Sequence, residues 1–309
     1  MRGGAVRAWV AGMTDHVKGL LITTLGVLFI LPDSLMVRLI ATDGVTVAFW
    51  KALTTAAVIG LGVTVLDGPG AFGRVMRLGW QAWVYAGAVG ASGAGFVIAV
   101  SLTSVANVVF IVAAMPVFAA IFSWAFLGER VGGRMLATMV AVGAGLAVIA
   151  YGSGETEGAH WSGDVLALAV AACFAGGLTA ARSLRPASLV PAIPVGYGAA
   201  ALVLVFFSAP LSVPADDWIW VALHGGVFIV GSTVFITMGP RWLPSAEVAL
   251  LILLESVFAP LLAWAVVGED PGRWAMIGGA IVIGALFVSN LAALTKRRPV
   301  AAGAPGPHG

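Results

Sequence analysis

Apolar residues run in long, nearly unbroken stretches along this chain, and polar residues gather in short clusters between them. Each stretch approaches the ~20 residues that an α-helix needs to cross the hydrocarbon core of a bilayer. The stretches are continuous rather than alternating, which disfavours a transmembrane β-barrel. The pattern predicts ten membrane-spanning helices, at 17–40, 45–66, 80–100, 103–127, 133–151, 163–183, 190–209, 218–238, 244–267 and 273–294.

The second half of the chain repeats the first half in a degraded form. Residues 104–150 recur at 244–290 with a constant offset of 140. The shared residues include Val117-Phe118-Ala119 with Val257-Phe258-Ala259, Trp124-Ala125 with Trp264-Ala265, and Gly128-Glu129 with Gly268-Glu269. Each half holds five predicted helices, an odd number, so the second half must enter the membrane in the opposite sense. We therefore expect an inverted-topology repeat, an architecture of transporters whose substrate site lies between the halves.

The predicted domains follow this division. A cytoplasmic arm covers 1–16, a first repeat 17–151, a second repeat 163–294 and a cytoplasmic tail 295–309. The tail is rich in Ala, Gly and Pro, and we expect it to be disordered. No small-residue cleavage pattern follows the first span, so this span is interpreted as a retained helix rather than a signal peptide.

Composition supports the membrane assignment. The chain is 60% hydrophobic and only 10% charged, with a mean hydropathy of +1.03, whereas a soluble domain carries about 25% charged residues. A water-soluble domain of this length would lack the polar residues to cover its surface. The predicted fold class is an all-α membrane protein. The single Cys173 lies within an apolar run and is interpreted as a packing residue, because it has no second cysteine for a disulfide.

Basic residues predict the orientation. With the N-terminus in the cytoplasm, thirteen of the Lys and Arg residues fall on the cytoplasmic side and only Arg38 and Arg273 on the outer side, while Lys51 lies within a span. This is a strong positive-inside bias, and it would collapse if one helix were missed or added. Both termini are therefore predicted to be cytoplasmic. The cytoplasmic set is Arg2, Arg7, Lys18, Arg74, Arg77, Arg130, Arg134, Arg182, Arg185, Arg241, Lys296, Arg297 and Arg298.

Two segments carry a resemblance to a known family. TSVANVVFIVAAMPVFAAIFSWAFLGER at 103–130 and LLESVFAPLLAWAVVGE at 253–269 are similar to the fourth and ninth helices of the drug/metabolite transporter superfamily, specifically its ten-helix EamA type. Phe49-Trp50-Lys51 is similar to the second-helix motif, although an Arg is usual at the position of Lys51. A second departure is Pro32-Asp33 within the first helix. The resemblance covers essentially the whole chain.

The resemblance implies a bundle of five plus five helices that transports amino acids or other small metabolites, often outward. The expected partners are a small-molecule substrate and the lipid bilayer, without nucleic acid, cofactor or metal. The expected location is the cytoplasmic (inner) membrane of a bacterium, as a monomer or homodimer.

Four ionisable residues within the spans are candidates for substrate binding or proton coupling, since charged groups in a bilayer are costly and usually face a cavity or a partner. Asp33 follows Pro32, which frees a backbone carbonyl beside the carboxylate, but it could instead reach the outer interface. Lys51 could hold a substrate carboxylate, neutralise Asp33, or extend to the outer interface. Glu255 lies too deep to reach water and is expected to be protonated, as a proton site or an acceptor for a substrate amine. It could also bond a neighbouring helix. His224 suits proton coupling or simple packing.

Other polar residues are weaker candidates. Asn107 and Asn290 lie within spans, where an Asn more often bonds another helix than a substrate. Glu129 and Glu269, each beside a Gly, are interpreted as parts of a turn or helix cap.

Enzyme motifs are absent from the sequence: we find no GxSxG, P-loop, HExxH or cysteine cluster. The absence of a nucleotide site disfavours ATP-driven transport and leaves an ion or substrate gradient, with proton antiport as the simplest hypothesis. The alternatives are a membrane-embedded enzyme, which would need a catalytic constellation, or a channel or structural subunit, which would not need inverted halves with buried charges.

Overall fold

The computed structural model describes residues 14–128, 130–153, 160–184, 187–238, 242–243 and 245–295. Helices and turns account for these residues, and no β-strand occurs among them. The predicted arm and tail, apart from 14–16 and 295, lie outside the described residues, and so do Glu129, Arg185 and Arg241. The helices are α1 Asp15–Ile30, α2 Asp33–Leu39, α3 Gly44–Asp67, α4 Gly70–Met76, α5 Trp80–Leu102, α6 Val105–Val112, α7 Met115–Leu127, α8 Gly133–Ser153, α9 Trp161–Arg182, α10 Ala192–Leu204, α11 Trp218–Leu223, α12 Val230–Met238, α13 Ser245–Val267 and α14 Arg273–Thr295.

Helix starts are set by side chains that accept free backbone N–H groups. Thr14 caps α1, Asp43 caps α3 and Ser104 caps α6, each accepting from the amide three residues on. Gly128 and Gly268 end α7 and α13 with φ values of 68° and 72°, a conformation that favours glycine. The two Gly-Glu positions of the sequence repeat therefore begin with the same backbone turn.

Nine stretches of helix in the described part of the chain are long and apolar enough to cross a bilayer. They correspond to nine of the ten predicted spans. The remaining span, predicted at 190–209, forms only the 13-residue helix α10, which is ~20 Å long at 1.5 Å per residue. Its chain then turns at 205–207 and enters a 3₁₀ turn at Pro210–Ser212. An all-helical, multi-pass membrane protein is confirmed, and the count of ten stays a prediction.

Two of the predicted spans are each divided into two helices. The first span breaks at Leu31-Pro32, between α1 and α2, where Pro32 has no N–H to continue the ladder. The fourth span breaks at Ala113-Ala114, between α6 and α7, just before Pro116 in the first turn of α7. The eighth span stays continuous but contains a π-helical turn, His224–Ile229, between α11 and α12. Such irregularities within a membrane are tolerated where they are buried in protein or line a cavity.

The two halves pack closely against each other. Helix α1 contacts α12 and α13, α5 contacts α9 and α10, and α8 contacts α14. Small residues permit these contacts: a Cβ on Gly90 of α5 would overlap the carbonyl of Gly196 in α10, and a Cβ on Gly145 of α8 or Gly278 of α14 would overlap the carbonyl of the other glycine. The main core cluster draws Val97, Val100 and Val108 from the first half together with Ile193 and Ala259 from the second.

Candidate functional site

An ionic cluster of Asp33, Lys51 and His224 lies inside the bundle. The Lys51 ammonium donates to both Asp33 carboxylate oxygens, over 2.7 and 2.8 Å, and His224 Nε2 lies 2.6 Å from Asp33 Oδ1. The three residues are 5%, 3% and 1% exposed, so none of them reaches the surface of the chain. The cluster joins the first, second and eighth predicted spans, which belong to both halves.

The helix break positions Asp33. It is the first residue of α2, directly after Pro32, where free backbone N–H groups and the helix dipole favour a negative charge. The carboxylate is thereby directed to the interior of the bundle rather than to the outer interface considered for it above.

Lys51 lies two turns into α3 and is held by more than its ion pair. Its ammonium lies 5.3 Å from the centroid of the Phe96 ring on α5, a cation–π distance. Of the roles proposed for Lys51, the geometry matches neutralisation of Asp33. The ion pair with Asp33 balances the charge of Lys51 in this conformation, so the ammonium is unavailable to a substrate carboxylate.

His224 opens the π-helical turn, and this turn is fixed to α3. The Thr55 hydroxyl donates to the Gly225 carbonyl over 3.1 Å, and Gly225 lies so close to Lys51 and Thr54 that a Cβ would overlap them. The Nδ1 atom of His224 is buried and has no hydrogen-bond partner among the described residues. A buried ring nitrogen without a partner marks a place where water or a ligand could bind.

Glu255 lies in the middle of α13, a helix that packs against α2. Its carboxylate makes no hydrogen bond with any described residue, and its side chain is partly exposed. It is close enough for its charge to interact with Asp33 and Lys51. The fourth predicted site residue therefore lies near the ionic cluster without being bonded to it.

Asn107 belongs to a separate group, which we call the helix-end network: Thr103, Asn107, Ser153 and Asp164. The Asn107 amide donates to Ser153 Oγ and Asp164 Oδ1 over 2.6 and 3.1 Å. The Thr103 hydroxyl donates to Asp164 Oδ1 over 3.0 Å, and Ser153 also bonds Asp164. All four side chains are buried. The network connects the ends of α5, α6, α8 and α9, which supports the helix-bonding interpretation of Asn107.

Asn290 belongs to neither of these two groups. It lies in the last two turns of α14 and is partly exposed. Its side chain bonds no residue in the described part of the chain, and nothing connects it to the ionic cluster.

Two charged residues have contacts that the sequence analysis missed. Arg38 Nε donates to Glu269 Oε2 over 2.6 Å, and the other oxygen of Glu269 accepts from the backbone of Val105 over 2.6 Å. Arg38 was noted only as an exception to the charge bias, and Glu269 only as part of a turn. The sequence signal for Glu269 was the repeated Gly-Glu pair, which indicated a turn but not the contact with Arg38.

Within the described ranges, no three His, Cys, Asp or Glu side chains converge as a metal site would require. In the ionic cluster, one carboxylate is shared between two basic side chains that come from different helices.

The sequence profile of the EamA-like transporter family matches residues 18–151 and, a second time, residues 161–291. The chain belongs to the EamA-like transporter family. These two matches cover most of the chain and correspond to the two halves of the bundle. The protein is thus a membrane transporter of small solutes, in a family of transporters rather than enzymes.

Comparison with solved structures bears on the fold alone. One structure, titled only "Crystal structure of protein", aligns with a TM-score of 0.61 over 92% of this EamA-like chain and 100% of its own, at 18% identity. An identity that low shows a common fold alone. A search of curated proteins found no match.

Proposed function

We propose that this EamA-like protein exports amino acids or related small metabolites by alternating access, with proton movement as the driving force. The observation that carries the proposal is the ionic cluster of Asp33, Lys51 and His224, buried between the two halves of the bundle. Charged groups at this depth are retained in transporters where they serve a substrate or ion pathway.

The break before Asp33 supports a transport pathway at this place. Discontinuous helices near the midplane, with helix termini directed at the site, are a recurrent feature of transporters built from inverted repeats. The break between α6 and α7 in the fourth span, the π-helical turn at His224 and Pro260 within α13 add further irregular backbone in the same bundle. Two residues of the ionic cluster, Asp33 and His224, thus lie directly at irregular backbone.

Glu255 is the proposed coupling residue. Asp33 is already neutralised by Lys51, whereas Glu255 lacks a partner among the described residues and remains partly exposed. A carboxylate in a bilayer needs a positive partner, which can be a proton or the ammonium group of an amino acid. Alternate binding of these two at Glu255 would couple outward movement of substrate to inward movement of protons. The outward direction rests on the family resemblance.

The proposed setting is the cytoplasmic membrane of a bacterium, with both termini inside and the chain acting as a monomer or homodimer. The charge bias supports this orientation. A cysteine in place of Arg74, in a Cys173→Ala background, should react with a membrane-impermeant maleimide from the cytoplasmic side only. Labelling from the outside would contradict the orientation.

Transport itself is tested in proteoliposomes loaded with a panel of radiolabelled amino acids and small metabolites, with and without an imposed pH difference. We expect efflux of at least one amino acid, accelerated when the proton gradient opposes the substrate gradient. No flux of any panel member above that of empty liposomes would contradict the proposal.

The coupling role is tested by Glu255→Gln, which keeps the shape of a protonated Glu. This variant should lose gradient-driven flux and retain exchange of labelled for unlabelled substrate. Glu247→Gln is the matched control, because Glu247 is on the same helix and pairs with His16 near the helix start. It should transport like the parent protein. Accumulation by Glu255→Gln against a substrate gradient would exclude Glu255 as the coupling residue.

A further inference from the structure

Arg38 and Glu269 form an ion pair that joins the two halves of the bundle at the end opposite to the pair of His16 with Glu247. Arg38 is in the last turn of α2, and Glu269 is in the loop between α13 and α14. Besides the Arg38 Nε contact of 2.6 Å, the guanidinium donates to the Thr103 carbonyl over 2.8 Å. Glu269 also accepts from the backbone N–H of Val105, the first residue of α6. The pair therefore connects the end of the first span to the junction of the third and fourth spans and to the loop between α13 and α14.

The pair and the ionic cluster are connected by one short helix, α2. Arg38 lies five residues after Asp33 in the same seven-residue helix, which corresponds to ~7.5 Å of helix rise. A helix of this length moves as one unit, so a displacement of Asp33 is passed to Arg38. Movement of α2 toward or away from α13 consequently acts on both ion pairs.

The end of the bundle that holds the pair is tightly packed. All seven residues from Val105 to Ile111 in α6 are buried, and α6 contacts α9, α13 and α14. The loop glycine Gly268, at a φ of 72°, turns the chain so that Glu269 lies against the start of α6. At this end of the bundle, the two halves are in direct contact through Glu269 and the start of α6.

The other end is looser along the same span. Among the described side chains of α7, from Met115 to Phe126, only Ser123 is buried. The main contacts of α7 are with α9 and α8, whereas α6, which precedes the break, contacts α13 and α14 as well as α9. Beyond its break the fourth span thus keeps its contact with α9 of the second half but loses close contact with α13 and α14 toward the predicted cytoplasmic side.

We infer that Arg38 and Glu269 are the outer gate of the transport pathway: the pair holds the pathway closed at the outer end and separates when that end opens. This inference rests on the proposed transport function and orientation. The chemistry suits a gate, since the two side chains are 25% and 19% exposed, and ion pairs with access to water are weak enough to break in each cycle. Because Glu269 also accepts from Val105, breaking the pair loosens the start of α6 as well.

The gate is tested by the access of a membrane-impermeant maleimide from the outside, without any substrate. The reporter is Ser34→Cys in the Cys173→Ala background, because Ser34 is beside Asp33 and its buried hydroxyl has no partner among the described residues. Glu269→Gln should raise the external labelling rate by roughly fivefold, the shift expected when a weak, water-accessible ion pair is lost. Gln can still accept from Val105, so this variant isolates the charge.

Glu247→Gln is the matched control, because Glu247 pairs with His16 over 2.7 Å at the opposite end of the bundle. It should leave external labelling at the parent rate. Arg38→Gln removes the other charge of the pair and leaves the Val105 contact of Glu269 in place, so it should also raise external labelling. An external rate in Glu269→Gln no higher than in Glu247→Gln would overturn the gate. If Glu269→Gln did not fold, Arg38→Gln would decide: labelling at the parent rate would also overturn it.

The readout separates this inference from the proposed function. Labelling reports the opening of the outer end in the absence of transport, so inactive proteoliposomes combined with a fivefold labelling change would refute the proposed substrate class and keep the gate. Normal transport with unchanged labelling would refute only the gate.

Discussion

Asp33 and Asp164 are both buried in the bundle, yet their partners differ in kind. Asp33 is bonded by the basic side chains of Lys51 and His224, whereas the partners of Asp164 are neutral hydroxyl and amide groups. Asp164 is also in the first turn of α9, where the helix dipole stabilises its charge. The Asp33 carboxylate is thus balanced by basic side chains, whereas the Asp164 carboxylate is held by neutral groups from three other helix ends. The second set of bonds fastens those helix ends together.

The largest effect should come from breaking the ionic cluster at its cation. Lys51→Met leaves the Asp33 carboxylate with only His224, and removal of one partner of a buried ion pair costs about 3–5 kcal/mol. We expect a marked drop in the melting temperature in detergent and loss of transport in proteoliposomes. The double variant Lys51→Met with Asp33→Asn should recover much of the stability but none of the transport. A single variant as stable as the parent protein would show that the pair is not a structural unit.

The same substitution at the two aspartates tests the comparison directly. Asp33→Asn should reduce transport by about 100-fold or more, the equivalent of ~3 kcal/mol, because Lys51 loses its counter-charge. Asp164→Asn should lower stability by about 1–2 kcal/mol, through a weakened set of hydrogen bonds, and leave transport within about twofold. Equal losses of transport at the two positions would remove the distinction between them. Flux per folded protein, measured after size-exclusion chromatography, is the appropriate readout.

His224→Gln should have an intermediate effect. Gln can still donate one hydrogen bond to Asp33, so we expect a stability loss of about 1 kcal/mol. Histidine changes its charge between pH 5 and 8, and its removal should flatten the dependence of transport on pH in that range. His160→Gln, at the exposed start of α9, is the control and should keep the parent profile. An unchanged pH profile in His224→Gln would assign His224 to packing.

The smallest effect is predicted for single members of the helix-end network. Ser153→Ala removes one of several bonds to Asp164 and should cost about 1 kcal/mol of stability, with transport unchanged. Ser183→Ala, at an exposed position that bonds only its own helix end, should be neutral. Loss of transport in Ser153→Ala at unchanged stability would move this network into the transport pathway.

The sequence predicted the membrane class, nine of the spans and the division into two related halves, because hydrophobic length and a repeated register are local signals. It also singled out Asp33, Lys51 and His224, since charge within an apolar run is conspicuous. Their mutual contact was proposed only for Lys51 with Asp33. The contact of His224 with Asp33 depends on a π-helical turn that no residue pattern predicts.

Other features depend on tertiary contacts alone. Asp164 lies at the edge of the predicted span 163–183, and the packing of α5, α6 and α8 buries it. The break at Ala113-Ala114 carries no glycine, and the nearby Pro116 is equally compatible with a helix that continues. The pairing of Arg38 with Glu269 joins residues 231 positions apart, beyond the reach of any local pattern.

The close approach of Gly90 and Gly196 has an evolutionary consequence. The backbone of α10 rests directly on that of α5, since a Cβ at either glycine would overlap a backbone carbonyl of the other helix. Neither position can accept a larger residue by repacking side chains, because the obstacle is main chain. Among homologues, both positions should therefore stay glycine even where the lengths of α10 and its following loop drift. A homologue that lacks one of these glycines should show a displaced α10 rather than a compensating substitution at the other glycine.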